Sequence, residues 1–243
     1  MLVWLSSFPR SGNTFLRMCL HWYTAERVSS YSITDDPLFI KVGVADKIGH
    51  QRLKELDSPQ HISVEALKKL DDSEELYIIK THKPIARLSY QARTIFLVRD
   101  PRDAMVSLVH WRQWQLDNKK VAHPTWQKTF NGMYNKRHWH TFTELSIDLA
   151  DVIVKYEDLV AAPYETVERI ITELDLPLTM EWQVMPTFEE MHEKLPRFFR
   201  KGVVGSGRTV FTPEQDAAFY ARSGAMMDRL GYERYYPEPE ATE

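Results

Sequence analysis

The stretch Leu2–Phe15, LVWLSSFPRSGNTF, runs from an apolar tetrapeptide through a polar loop into an amphipathic segment. Leu2 to Leu5 read as a short buried strand. Asn13 to Thr24 read as a helix, with Phe15, Leu16, Cys19, Leu20 and Tyr23 at helical spacing. The loop between them, SSFPRSG, holds one glycine at its far end and one basic residue, Arg10. A buried strand that passes through a short loop straight into a helix is the opening of an alternating strand–helix chain.

The rest of the sequence continues that alternation. Leu76–Lys80, Thr94–Val98 and Asp151–Tyr156 read as further strands. Helices are expected from Ser63 to Leu70, from Asp100 to about Trp114, over most of Thr125–Leu149, from Tyr164 to Leu174, and from Pro213 to Leu230. Asp100 can cap its helix, with Pro101 at the first helical position and Asp103 favourable to the dipole. Thr212 caps the last helix and Gly231 stops it. Residues 27–62 are polar and read as a long excursion over the site. The expected fold is α/β, a three-layer P-loop-like arrangement with a central parallel sheet flanked by helices. One domain is expected over 1–236, with an acidic, disordered tail over 237–243.

In such sheets ligands bind beyond the carboxyl ends of the strands. Polar groups fall at all four expected ends: Arg10 to Thr14, then Lys80 with Thr81 and His82, then Arg99 and Arg102, then Tyr156 and Glu157. In the opening loop, successive backbone N–H groups and a helix N-terminus form an anion cradle. Gly12 allows close approach, and Ser11 and Thr14 offer hydroxyls. Against the G-x-x-x-x-G-K-[ST] pattern, Gly12 and Thr14 fit, Ser7 stands for the first Gly, and Asn13 stands for the Lys. Asn13 cannot supply the charge that reaches β and γ phosphates. Arg10 projects instead towards whatever lies beyond the bound phosphate.

Three more elements carry chemistry. Tyr77–Pro84, YIIKTHKP, sets Lys80 and His82 at a strand end, and an imidazole there suits a general base for a hydroxyl. Val98–Ser107, VRDPRDAMVS, sets Arg99 before a helix cap and Ser107 two turns in. Arg200–Arg208, RKGVVGSGR, is a glycine-punctuated basic loop suited to covering a phosphate.

Taken in order, these elements resemble the sulfotransferases that use 3′-phosphoadenosine 5′-phosphosulfate (PAPS), over Trp4 to about Thr212. Pro9–Phe15, PRSGNTF, is similar to the family's P-K-S-G-T-T-W loop around the 5′-phosphosulfate, with Arg10 for Lys and Phe15 for the adenine-stacking Trp. Lys80-Thr81-His82-Lys83-Pro84 resembles K-T-H-x-P, whose His is the catalytic base. Arg99 and Ser107 match the pair that grips the 3′-phosphate, and the family Lys exchanges contacts with that serine. Tyr156-Glu157-Asp158 looks like Y-E-D, whose Tyr holds the nucleotide, and Phe188 falls where an aromatic packs on adenine. Arg200-Lys201-Gly202 resembles the R-K-G that closes over the 3′-phosphate. Two departures stand out: the usual G-D-W-K is Gly205-Ser206-Gly207-Arg208, and the family's dimerisation motif is not matched at Arg208–Asp216. Oligomeric state is therefore left open.

The resemblance implies transfer of a sulfuryl group to an acceptor hydroxyl, with His82 taking the proton and Arg10, Lys80 and Ser107 at the reacting centre. Cofactor contacts are implied for Arg10, Ser11, Gly12, Asn13, Thr14, Phe15, Arg99, Ser107, Tyr156, Phe188, Arg200, Lys201 and Gly202, with 3′-phosphoadenosine 5′-phosphate (PAP) as product. No metal is expected: His138 and His140 are neighbours, without a carboxylate or Cys evident at ligand spacing. The rival reading is a P-loop kinase using ATP and Mg²⁺, which Asn13 opposes. The acceptor is expected to be a small hydroxyl compound, and Trp111, Trp114, Trp126, Tyr134 and Trp139, crowded into one segment, read equally as a pocket lining for an aromatic or glycosylated molecule or as helix core.

Bulk properties agree. The 243 residues are 43% hydrophobic and carry a net charge of −3, which excludes a generally basic nucleic-acid binder and leaves anion binding to a local pocket. The one cysteine, Cys19, is expected in the core and cannot form an internal disulfide. No targeting segment or membrane span is evident, so a cytoplasmic home is expected.

Overall fold

A computed structural model describes residues 1–32, 37–52, 62–118, 125, 127–131, 139–196, 198–200 and 202–237. In chain order the elements are β1 (Leu2–Ser7), α1 (Asn13–Trp22), β2 (Ser30–Ser32), α2 (Pro37–Lys41), α3 (Ala45–Ile48), β3 (His50–Arg52), α4 (Val64–Asp71), β4 (Tyr77–Thr81), β5 (Arg93–Val98), α5 (Pro101–Asn118), α6 (Trp139–Ile147), β6 (Val152–Lys155), α7 (Tyr156–Ala161), α8 (Pro163–Glu173), α9 (Phe188–Lys194) and α10 (Pro213–Arg229). The strands form one parallel sheet in the order β3-β2-β4-β1-β5-β6.

β1 lies at the centre, with Leu2 beside Tyr77 on one side and Val3 beside Arg93 on the other. Alternate residues of a strand point to opposite faces. Val3, Leu5, Ile78, Ile95 and Leu97 therefore pack against Leu16, Cys19 and Leu20 of α1 and Val167 and Ile170 of α8. On the other face Leu2, Trp4 and Ile79 meet Leu67 and Leu70 of α4, while Phe96 and Val98 meet α5, α6 and α10. Covering both faces explains why the central strands read as unbroken apolar runs. Cys19 is fully buried, and burial pushes its thiol well above the usual range.

The four expected strands are present, but two edge strands are new. β2 and β3 arise inside 27–62, which read as an excursion. Each is three residues long and polar, SYS and HQR, so neither has an apolar signature. Ser30 pairs with Ile78 of β4 and with His50 of β3. The fourth strand ends at Lys155, and Tyr156 opens a helix instead. Ser63 caps α4, and Thr212 forms a capping box with Gln215 at α10. Trp126, Tyr134, His138 and the tail from 238 onward lie outside the described residues. Among the described residues no helix is long and apolar enough to cross a membrane.

Arg102, placed by sequence among the chemistry-capable groups, belongs to the scaffold. It is 1% exposed, bonds Asp216 at 2.8 Å and Asp100 at 2.7 Å, and donates to the Glu233 carbonyl at 2.6 Å. Asp216 also accepts from the Tyr235 amide at 3.0 Å. This network fastens α10 and the chain after it to the end of β5. Removing one member of a buried pair leaves a stranded charge. Asp216→Ala should destabilise the fold by about 3–5 kcal/mol, read from urea denaturation midpoints; a loss below about 1 kcal/mol would contradict this role.

Candidate active site

The loop after β1 is shaped by two residues with positive φ, Arg10 at 70° and Gly12 at 99°. Gly12 is required there. A Cβ on it would lie 2.2 Å from Cδ2 of Tyr156, whose ring forms the floor under the loop. Gly12 also precedes α1 and provides no side-chain cap, so the first turn of α1 keeps backbone N–H groups directed at the loop. Ser11 is fully buried within it, and its Oγ has no hydrogen-bond partner among the described residues. Asn13 donates from Nδ2 to Ser7 Oγ at 3.0 Å, bracing the loop against β1. Its Oδ1 is buried and, like Nε of Arg99, has no hydrogen-bond partner among the described residues.

A cavity of 1460 Å³ opens above this loop at the carboxyl edge of the sheet. Arg10, Gly12, Asn13, Thr14 and Phe15 line it from the loop, and Lys80 and His82 from the end of β4. Arg99 and Ser107 enter from β5 and α5, Tyr156 from α7, and Phe188, Arg200 and Gly202 from the segment that includes α9. Thirteen of the residues that the sequence singled out thus meet in one space. Ser11 stands beneath it, and Lys201 lies outside the described residues.

Three guanidinium groups dominate the electrostatics. Burial, then Arg99 and Arg200, bring the Arg10 guanidinium down to about 10. Burial and Arg99 likewise lower Arg200. Since about 10 still lies above neutrality, Arg10 is charged at pH 7. Like charges held this closely favour an anion between them. Arg10 donates from Nε to Ser107 Oγ at 3.1 Å and from Nη2 to the Phe198 carbonyl at 2.9 Å. Its guanidinium stands 4.6 Å from the Phe198 ring and 5.3 Å from the Trp111 ring. Ser107 is therefore bound to Arg10.

Arg99 reaches across the site. It donates to the Arg10 carbonyl at 3.3 Å, to the Val203 carbonyl at 2.9 Å and to Asp103 at 3.3 Å, with its guanidinium 4.2 Å from the Tyr156 ring. Asp103, a dipole complement on sequence grounds, does more than that in the structure. It is fully buried and accepts from the Gly205 amide at 2.7 Å, the Gly207 amide at 2.5 Å and Ser206 Oγ at 3.3 Å. One carboxylate thus orients Arg99 and docks the glycine-rich loop. The four-residue spacing of Arg99 and Asp103 was the signal that could have found this pair.

His82 is exposed at the cavity edge, with Nδ1 2.8 Å from the Ser7 carbonyl. A carbonyl only accepts, so Nδ1 carries the proton and, in the neutral ring, Nε2 carries the lone pair. Lys80 is half-buried and stands beside Leu5 in the sheet. Phe188 packs under Gly202, where a Cβ would fall 2.6 Å from its Cε2. Trp182 also lines the cavity and stacks on Tyr23 with centroids 5.3 Å apart; no sequence pattern marked it.

The structure sorts the remaining residues that the sequence singled out. Trp139 is 2% exposed and belongs to the core, and Trp114 packs on Trp111 without lining the cavity. Of that aromatic group, Trp111 alone among the described residues lines the site. Glu157 is turned away, accepting from the Asp100 amide and Tyr232 hydroxyl at 3.0 Å each. His140 does have a carboxylate nearby, Glu144 at 3.9 Å, one turn along α6.

Three comparisons bear on this geometry. A family model described as "Sulfotransferase domain" matches residues 2–231. The chain is 25% identical over 264 residues to Sulfotransferase 1B1 of Mus musculus, covering 89% of this chain and 79% of the relative. It is 23% identical over 250 residues to a "Flavonol sulfotransferase-like" protein of Flaveria bidentis, covering 87% and 77%. Its fold is shared with mouse sulfotransferase SULT7A1, solved in complex with PAP, at a TM-score of 0.61 and 18% identity, covering 93% of this chain and 84% of that one.

The Asp103 latch is open to a direct test. Asp103→Ala should speed tryptic cleavage after Arg200 and Arg208 by about tenfold or more while far-UV circular dichroism stays native. Unchanged cleavage rates would show that the loop is held by other contacts.

Proposed function

The chain belongs to the sulfotransferase-domain family, and from that premise we propose that it moves a sulfuryl group from PAPS to a hydroxyl of a small-molecule acceptor. The observation that carries this reading is the crowd of Arg10, Arg99 and Arg200 around the same cavity that His82 borders. The mouse relative's complex with PAP supports the nucleotide, and the flavonol sulfotransferase-like relative supports a small acceptor.

The residues present fit the donor. Ser11 Oγ and Arg99 Nε are buried donors without a partner among the described residues, and both belong to the loop-and-arginine cradle. The loop amides, Ser11 and Thr14 would hold the 5′-phosphate, and Arg99, Ser107, Arg200, Lys201 and Gly202 the 3′-phosphate. Phe15, Phe188 and Tyr156 would hold the adenosine. Bound there, PAPS supplies the activated sulfuryl group.

His82 removes the acceptor proton at Nε2 while its Nδ1 stays on the Ser7 carbonyl, which fixes the ring. Arg10, Lys80 and the loop amides meet the negative charge left on the bridging oxygen of the nucleotide. A preorganised donor of this kind contributes about 3–4 kcal/mol. The aromatic Trp111 wall and the clamp of Arg10 between Trp111 and Phe198 keep that donor from swinging into solvent.

His82→Ala should lower transfer from labelled PAPS by at least about a hundredfold and leave PAP binding unchanged. Near-normal turnover would remove His82 from the role of base. Arg99→Ala should weaken PAP by about tenfold to a hundredfold in calorimetric titration. Equal affinity would withdraw Arg99 from the 3′-phosphate. In the same format, PAP should bind without Mg²⁺, and tighter binding of ATP with Mg²⁺ would favour a kinase instead.

A further inference from the structure

The acceptor wall carries a charge pattern that the reaction itself does not use. Helix α5 presents Ser107, Leu108, Trp111, Arg112, Gln115 and Leu116 to the cavity. Their spacing puts them on one stripe of the helix, because side chains three or four apart share a face. The stripe begins at Ser107, which holds Arg10 at the reacting centre. It continues over apolar Leu108 and Trp111 to Arg112. Lys128 lines the same cavity, brought near α5 by the Gln113 side chain donating to Thr129 Oγ1.

Arg112 and Lys128 are exposed, and neither forms an ion pair with any of the described residues; Arg112 contacts only the neutral Gln115 side chain, at 3.4 Å. Glu189 is the one carboxylate among the described residues lining the cavity, and it follows Phe188 at the start of α9, on the wall read as the nucleotide's. Among the described residues, two exposed cations without an ion pair therefore line the cavity of a chain whose net charge is −3.

Resting on the sulfotransferase reading above, we propose that the acceptor is an amphipathic acid: an apolar, ring-bearing body with the reacting hydroxyl at one end and an anionic group at the other. The helix sets the length. Arg112 lies five residues beyond Ser107, about 7.5 Å along the axis, so hydroxyl and anion are separated by about 8 Å. The hydroxyl sits deep, at His82 and Arg10. The ring lies on Leu108 and Trp111. The anion meets Arg112 and Lys128 at the mouth.

A rigid pair of probes tests this. 6-Hydroxy-2-naphthoate and its neutral amide, 6-hydroxy-2-naphthamide, are titrated into the PAP-loaded protein, where occupied nucleotide sites cannot capture the carboxylate. The acid should bind about fivefold more tightly than the amide, and the preference should shrink at about 0.5 M salt. It should vanish in the double variant Arg112→Gln/Lys128→Gln, whose PAP affinity stays that of the parent. With PAPS in place of PAP, the same preference should appear in KM rather than kcat. Equal affinity for the two probes, or a preference that survives the double substitution, overturns the proposal. Failure of PAP to bind would instead defeat the donor reading. The same comparison of parent and double variant on the unloaded protein would still decide the present one.

Discussion

The Asp103 carboxylate is the constraint on which the rest of the site depends. The site must hold several guanidinium groups together so that an anion is drawn in. Left alone, those cations would repel one another and open the structure. Asp103 is the buried acid that Arg99 shares, and it also gathers the amides of Gly205 and Gly207. Arg99 in turn donates to the carbonyls of Arg10 and Val203. One acid therefore ties together the loop after β1, the start of α5 and the glycine-rich loop. The excess of positive charge around the cavity remains after this one acid is counted.

Arg10 is held by contacts that only a guanidinium can make. A lysine is a point charge on a flexible stem, whereas arginine is a planar fork with distinct donors and two faces. Arg10 uses all of this. One edge meets Ser107, another meets the Phe198 carbonyl, and its faces lie near Trp111 and Phe198. The left-handed backbone at Arg10 lets its side chain leave the loop towards this clamp. The outcome is a more firmly held cation, linked through Phe198 to the segment that carries Arg200.

Much of this was legible in the sequence because it rests on local patterns. The central strands are apolar on both faces, and the helix caps at Ser63 and Thr212 are made of side chains next to the helices they cap. The loop residues, His82 and the Arg99–Ser107 spacing are likewise contiguous or on one helix. What escaped notice is what depends on partners distant in sequence. β2 and β3 are strands only because β4 offers them an edge. Asp103 looks like any first-turn acid until residues 205–207 return to it. Arg102 sits beside reactive groups in sequence but turns to Asp216, far along the chain. Trp139 and Trp111 have the same composition signal and opposite fates, one in the core and one at the cavity, because side-chain direction follows helix orientation.

The central position of β1 has a consequence for how the chain acquires its shape. Leu2 has its neighbour at Tyr77 and Val3 at Arg93, so β1 is made well before either of the strands that flank it. At a typical pace of synthesis, roughly ten seconds separate its emergence from that of its partners. Throughout that interval LVWL and the apolar face of α1, Leu16, Cys19 and Leu20, have no sheet to cover them. Pairings between distant segments also form slowly. The loop that hangs from the end of β1 therefore takes its final shape on the nascent chain only after β5 has left the ribosome, and a holding chaperone would have its natural target in the apolar residues between Leu2 and Leu20.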